Sequence, residues 1–159
     1  MTVSSCENLA PVFTVSIGIV ALNEEVALPT LLEDVFKQDF PRNRMELLLA
    51  DSGSTDQTRA IMDRFAAEHG EEFVGVKVLD NPGRIAAAGI NVCLGVYTGD
   101  AFVRIDAHST IPANFISSCV AVLEEGEQVA AGPRPTMAFP ETNWTNTLLV
   151  AEESAFGSS

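Results

Sequence analysis

Short apolar runs alternate with stretches of helical periodicity along most of the chain. Residues 14–21 (Thr-Val-Ser-Ile-Gly-Ile-Val-Ala) are β-branched and nearly all apolar, the pattern of a strand buried on both faces. Leu28, Leu31, Leu32, Val35 and Phe36 follow at helical spacing, with Pro29 tolerated in the first turn. After a loop at 38–43, residues 47–50 predict a second strand ending at Asp51. Ser54 and Gln57 form a capping-box pair before a helix whose stripe is Ile61, Met62, Phe65 and Ala66, closed by His69 and Gly70. Residues 73–79 read as a third strand, with Val74, Val76 and Val78 in alternation, ending at Asp80 and Asn81. Pro82 and Gly83 turn the chain into a helix over 84–96 carrying Ala86, Ala87, Ala88 and Gly89. A strand over 101–106, a helix striped by Phe115, Ile116, Cys119, Val120 and Leu123, and a short fifth strand over 129–132 complete the regular part. Pro135 and Pro140 then punctuate a loop, before a short helix within 143–154 carrying Trp144, Leu148 and Leu149. Strand and helix alternating with short connections predict an α/β fold, a mainly parallel sheet in three αβα layers.

Composition narrows the function. The 22 acidic and 9 basic residues leave a net charge of −13 without a basic run, which argues against nucleic acid and anionic membrane surfaces as partners. The three cysteines, Cys6, Cys93 and Cys119, are too scattered for a disulfide framework or zinc site and predict buried free thiols in a reducing compartment. The first eleven residues lack the basic and apolar regions of a signal peptide, and no apolar run is long enough to span a membrane.

Candidate chemistry gathers at the strand ends. The strands finish at Asn23 with Glu24, at Asp51, at Asp80 with Asn81, and at Asp106 with His108. In an open parallel sheet ligands bind outside the carboxyl ends of the strands, where the strand order reverses. Within 101–110, Phe102, Arg104, Asp106 and His108 would share one face of an extended strand, roughly 6–7 Å apart in succession. That spacing suits a carboxylate and an imidazole approaching one divalent ion or one diphosphate. Asp and Ser at strand ends also cap following helices, the role expected of Asp56. An acidic crevice repels a bare diphosphate but suits one carrying Mg²⁺ or Mn²⁺. The glycine fingerprint of dinucleotide sites, the P-loop and the Gly-x-Ser-x-Gly elbow are all missing.

Taken in order, Asn23-Glu24 after the first strand, Leu49-Ala-Asp-Ser-Gly-Ser-Thr-Asp56, Asn81-Pro-Gly-Arg84 and Asp106-Ala-His108 resemble the nucleotide-binding part of a family 2 glycosyltransferase. The resemblance covers roughly residues 15–133, and its Asp-Ala-His ending is similar to bacterial succinoglycan-type exopolysaccharide glucosyltransferases. It implies the Rossmann-like GT-A fold. It also implies a tail over 1–12, a nucleotide-sugar-binding subdomain over 13–133 and the start of an acceptor-side region over 134–159, incomplete at its end. The backbone near Ala21, with Asn23 and the side chain of Glu24, would hold the nucleoside. Asp51, beside Gly53, would accept a hydrogen bond from uracil, and Arg84 would neutralise diphosphate charge. Asp106 would contact ribose and the metal-bound diphosphate. His108 stands where many relatives carry a second Asp as ligand to Mn²⁺ or Mg²⁺, and Ser52 replaces a commoner Asp.

The expected activity is inverting transfer of a hexose from a UDP-sugar to a saccharide or lipid-linked acceptor in polysaccharide biosynthesis, in the cytoplasm or at the inner face of the membrane. Such a transfer needs a general base for the acceptor hydroxyl. Glu152 and Glu153 do not fit that role, so the base is expected beyond Ser159 and the chain alone is expected to be inactive. Two other readings remain: a non-catalytic nucleotide-binding module, and a nucleotidyltransferase. The latter class opens with a glycine-rich basic loop that residues 21–27 lack.

Overall fold

A computed structural model of the chain describes residues 13–131 together with Thr142, Trp144 and Thr147. The chain divides into two compact units, Met1–Gln128 and Val129–Ser159. In the first unit β1 (Val15–Ala21), β2 (Met45–Asp51), β3 (Gly75–Asp80) and β4 (Ala101–Asp106) form a parallel four-stranded sheet in the order β3-β2-β1-β4. Helices α1 (Leu28–Phe36), α2 (Thr58–His69), α3 (Ala86–Leu94) and α4 (Phe115–Glu124) connect and follow them.

Residue parity along the strands decides which helix covers which face. Ile17, Ile19, Met45, Leu47, Leu49 and Ile105 point to one side, where they pack with Leu31, Leu32 and Val35 of α1, Met62 of α2, and Ile116 and Val120 of α4. Leu48, Ala50, Val20, Leu79 and Phe102 point to the other side, against Cys93 of α3. The path explains the split. Two crossovers step from β1 to β2 to β3, and the third returns past β1 to β4, so with right-handed connections α3 falls on the opposite face. The expected three-layer α/β architecture is thus present in the first unit. Cys93 and Cys119 are buried free thiols, as expected, and burial pushes the Cys93 thiol up to about 11.

Helix α3 approaches the sheet closely because Gly89 faces it. A Cβ at Gly89 would lie 2.5 Å from Cγ1 of Val20 and 2.9 Å from Nδ2 of Asn81. Gly89→Ala is therefore expected to cost up to about 2 kcal/mol, because overpacking of about 1–3 kcal/mol is set against the roughly 1 kcal/mol gain in helix propensity. Urea unfolding measures this, and a midpoint at or above the parent's would show that Val20 yields.

Several elements differ from the sequence-based expectation. Strand β3 starts at Gly75 because Phe73 leaves the ladder to pack on the rings of Phe36 and Phe65. Helix α3 starts at Ala86, not residue 84, since Arg84 has φ 54° and Ile85 is extended. The Ser54–Gln57 capping box does not form. Ser54 Oγ instead accepts from the Asn23 N–H (3.0 Å), and Asp56 Oδ1 accepts from the Thr58 N–H (2.9 Å). Residues 129–131 of the second unit carry no strand; Gly132 and Pro133 lie outside the described residues, as do Cys6, Pro135, Pro140, Leu148, Leu149, Glu152 and Glu153. Trp144 and Thr147 are helical, and Trp144 is largely exposed.

Candidate functional site

The strand order reverses between β1 and β4, so the loops after these strands flank the switch point of the sheet. The β1 and β2 loops are stitched together first. Asn23 takes φ 56°, a conformation Asn adopts more readily than most residues. Its Oδ1 accepts from the Thr55 N–H at 2.8 Å. The Glu24 N–H donates to Thr58 Oγ1 (2.8 Å), the Glu25 N–H to Asp56 Oδ2 (3.2 Å), and the Gln57 N–H to Glu25 Oε2 (2.9 Å). Burial raises the Asp56 pKa, but hydrogen bonds from Thr58 and the Glu25 backbone outweigh it and hold the carboxyl below its ordinary value. Asp56 therefore ties the two loops together as well as serving its helix. The Ala21 carbonyl accepts from the Ser52 N–H (2.9 Å) and Ala21 is buried, so the exposed backbone of this stretch begins at Leu22.

Behind them lies a polar floor. Asp51 is 7% exposed, with Oδ1 accepting from the Ser54 N–H at 3.1 Å. The Asn81 N–H donates to the Asp51 carbonyl (2.8 Å). Asn81 Nδ2 donates to Ser52 Oγ (2.9 Å) and to the Ile85 carbonyl (3.0 Å). Asn81 Oδ1 is buried without a partner among the described residues. Gly53 has φ 78°, and the guanidinium of Arg84 folds back over it, donating to its carbonyl at 3.2 Å. Asp51, Gly53 and Arg84 are thus brought together from two loops. Asp80 turns away: it pairs with Arg59 of α2, which also holds Asp63.

On the other side of the switch, β4 ends at Asp106 and the chain turns, with the Ser109 N–H donating to the Asp106 carbonyl (2.9 Å). Phe102, Arg104 and Asp106 share a face as the strand period requires, but the turn takes His108 off that row. Two side-chain pairs were not read from the sequence. Arg104 donates to Asp106 Oδ1 through Nη2 (2.8 Å) and Nε (3.2 Å), and His108 Nδ1 lies 3.1 Å from Glu24 Oε1. The first pair follows from alternation, two residues apart on one strand, and was open to prediction. The second joins residues 84 apart and had no local signal. Thr58 was likewise missed, and Asn81 was read as a strand end and motif residue without its bonds to neighbouring loops.

Among the described residues no three His, Cys, Asp or Glu side chains converge as a metal cage. Asp106 and His108 nevertheless suit an ion that arrives with a diphosphate, because Mg²⁺ commonly keeps one or two protein ligands and takes the rest from phosphate and water. The donor set, one carboxylate and one imidazole, suits Mn²⁺ as well.

A parallel α/β domain with polar loops stitched together at its switch point has its candidate ligand site there. Residues 16–156 match the profile of Glycosyl transferase family 2, and the chain belongs to that family. It is 37% identical over 106 residues to the succinoglycan biosynthesis protein ExoA of Rhizobium meliloti, covering 65% of this chain and 31% of that one. It is 35% identical over 129 residues to an undecaprenyl-phosphate 4-deoxy-4-formamido-L-arabinose transferase of Pseudomonas fluorescens, covering 78% and 36%. The chain thus spans about a third of the length of these curated relatives. Among solved structures it is similar to the mannosyltransferase PcManGT of Pyrobaculum calidifontis in complex with GDP-Man and Mn²⁺. The TM-score is 0.69 and the identity 25%, covering 86% of this chain and 38% of that one. S. aureus TarS 1-349 in complex with UDP-GlcNAc gives a TM-score of 0.60 at 21% identity over 77% and 38%, a likeness of fold. The GT-A fold expected from the motifs is therefore the fold found.

Proposed function

We propose that this chain supplies the donor half of an inverting hexosyltransferase that uses a UDP-sugar to build a polysaccharide, with a saccharide or lipid-linked acceptor. The observation that carries the reading is Asp51, a nearly buried carboxylate at the end of β2, just before the Gly53 turn over which Arg84 folds. An acceptor in that place suits the N–H of a pyrimidine base. Arg84 is poised to leave the Gly53 carbonyl for an anion, as a guanidinium at an exposed rim does at small cost. The backbone of Leu22 and Asn23, just past the buried Ala21, would line the nucleoside, and Asp106 would reach ribose and diphosphate. Asp106 and His108 would hold Mn²⁺ or Mg²⁺, which when bound supplies charge neutralisation to the departing diphosphate.

The strand-end carboxylates are already engaged: Glu24 by His108, Asp106 by Arg104 and Asp51 by backbone, while Asp80 turns away to Arg59. We therefore assign the general base to the part of the relatives that this chain does not match. Lipid-linked acceptors in the relatives' names support a membrane-borne acceptor, while no helix among the described residues is long and apolar enough to cross a membrane. We place the work in the cytoplasm, at its membrane face, where Cys93 and Cys119 stay reduced.

The nucleotide is tested by thermal shift. UDP with Mn²⁺ at a hundredfold excess over its Kd is expected to add about 2.7 kcal/mol, some 5–10 °C at this chain length. GDP and ADP are expected to add less. A larger shift with GDP would move the assignment to a guanosine sugar, the donor in the Pyrobaculum complex. No shift with any nucleotide would overturn the donor-site reading.

A further inference from the structure

The pair formed by Glu24 and His108 has a direction. Glu24 is the anchored partner: its N–H is held by Thr58 Oγ1 (2.8 Å), its carbonyl accepts from the Leu28 N–H (2.9 Å), and its side chain is 26% exposed. His108 lies in the turn after β4, and its side chain is 63% exposed. The fixed carboxylate therefore selects the state of the ring. A neutral imidazole carries one N–H, and a carboxylate 3.1 Å from Nδ1 stabilises the tautomer with its proton there. The lone pair is then left on Nε2, which has no hydrogen-bond partner among the described residues.

Histidines that ligate metals are commonly oriented in this way, the second nitrogen donating to a carboxylate that sets tautomer and raises basicity. We propose that Glu24 is a positioning residue for His108, fixing the tautomer that presents Nε2 as a metal donor beside Asp106. The proposal rests on the donor-site reading above and gives the Glu24 carboxylate a different duty from the nucleoside contact expected of it. It also supplies a reason why an imidazole works at position 108. The carboxylate across the switch holds the ring in place, partly making up for the absence of the second negative charge that an Asp there would bring.

Two readouts on the full 159-residue chain test this. In the metal-free protein, nitrogen-15 correlation spectra of the neutral ring should show His108 with its proton on Nδ1. His69, the other of the two histidines, is assigned separately by its own substitution. Glu24→Ala should shift His108 toward the Nε2–H form, and Glu24→Gln, whose amide oxygen still accepts from Nδ1, should retain the parent tautomer. Mn²⁺·UDP affinity, measured by calorimetry and by Mn²⁺ paramagnetic resonance, should fall about 10–100-fold in Glu24→Ala and be largely rescued in Glu24→Gln. A parent ring protonated on Nε2, or a Glu24→Ala protein with unchanged tautomer and affinity, would overturn the positioning role. If the parent binds no Mn²⁺·UDP at all, the donor-site reading fails. The metal half of this proposal fails with it, while the metal-free spectra still decide whether Glu24 sets the ring.

Discussion

Glu46→Ala is expected to lower the unfolding free energy by about 3–5 kcal/mol, a large part of what a domain of this size possesses. Glu46 stands near the start of β2, 3% exposed, on the face covered by α3. Its Oε2 accepts from Ser16 Oγ and from the Thr98 N–H (2.9 Å), and its Oε1 from Lys77 Nζ (2.8 Å). The Gly99 N–H adds a bond to Ser16 Oγ (2.9 Å). One carboxylate thus ties β1, β2, β3 and the connection into β4. Removing it leaves the buried Ser16 O–H without its acceptor, leaves the Thr98 N–H only its longer bond to Ser16 Oγ (3.3 Å), and opens a cavity besides. Lys77, 44% exposed, recovers solvation and limits the loss. Urea unfolding should show a lower midpoint at unchanged slope. A loss below about 1 kcal/mol would mean that water replaces the carboxylate.

The same network has an acid limb. Burial raises the Glu46 pKa, but the hydrogen bonds from Lys77, Ser16 and the Thr98 backbone together outweigh it, and the carboxyl lies below its ordinary value. A depressed carboxylate contributes stability that is complete above the unfolded value, about 4.3 for Glu, and lost as the pH falls through the folded value. The Glu46→Ala protein should therefore lose stability less steeply than the parent below about pH 4.

The second large effect concerns the ligand. Asp106→Asn is expected to weaken Mn²⁺·UDP binding by about 100-fold, near 2.7 kcal/mol, with stability changed by less than about 1 kcal/mol. The residue is half-buried at the last position of β4, and an amide there can still accept from Arg104. What is lost is the negative charge that a divalent ion needs. His108→Ala should cost about tenfold, and only when metal is present. Calorimetry with and without a chelator separates the two contributions. If both variants bind Mn²⁺·UDP like the parent, Asp106 merely ends its strand and the metal reading falls.

Alternating and helical periods foretold the first four strands and four helices, because each apolar residue had to be buried on one of two faces and parity chooses the face. Val15, Ile17 and Ile19 are core on that account alone. The acids at the strand ends and the family motifs were equally legible, since they are local in the chain. Strand β3 and the ends of α3 were misplaced for the opposite reason. Phe73 left the ladder for two rings brought near by α1 and α2, and Arg84 turned to positive φ where it meets Gly53 of another loop. The sequence by itself therefore determined the α/β class, the core and the neighbourhood of the site. Only the tertiary structure decided which side chains meet: Asp80 with Arg59, Glu46 with Lys77, Glu24 with His108. Burial is a property each residue carries in its own side chain, whereas a charge pair depends on which loops the strand order sets side by side.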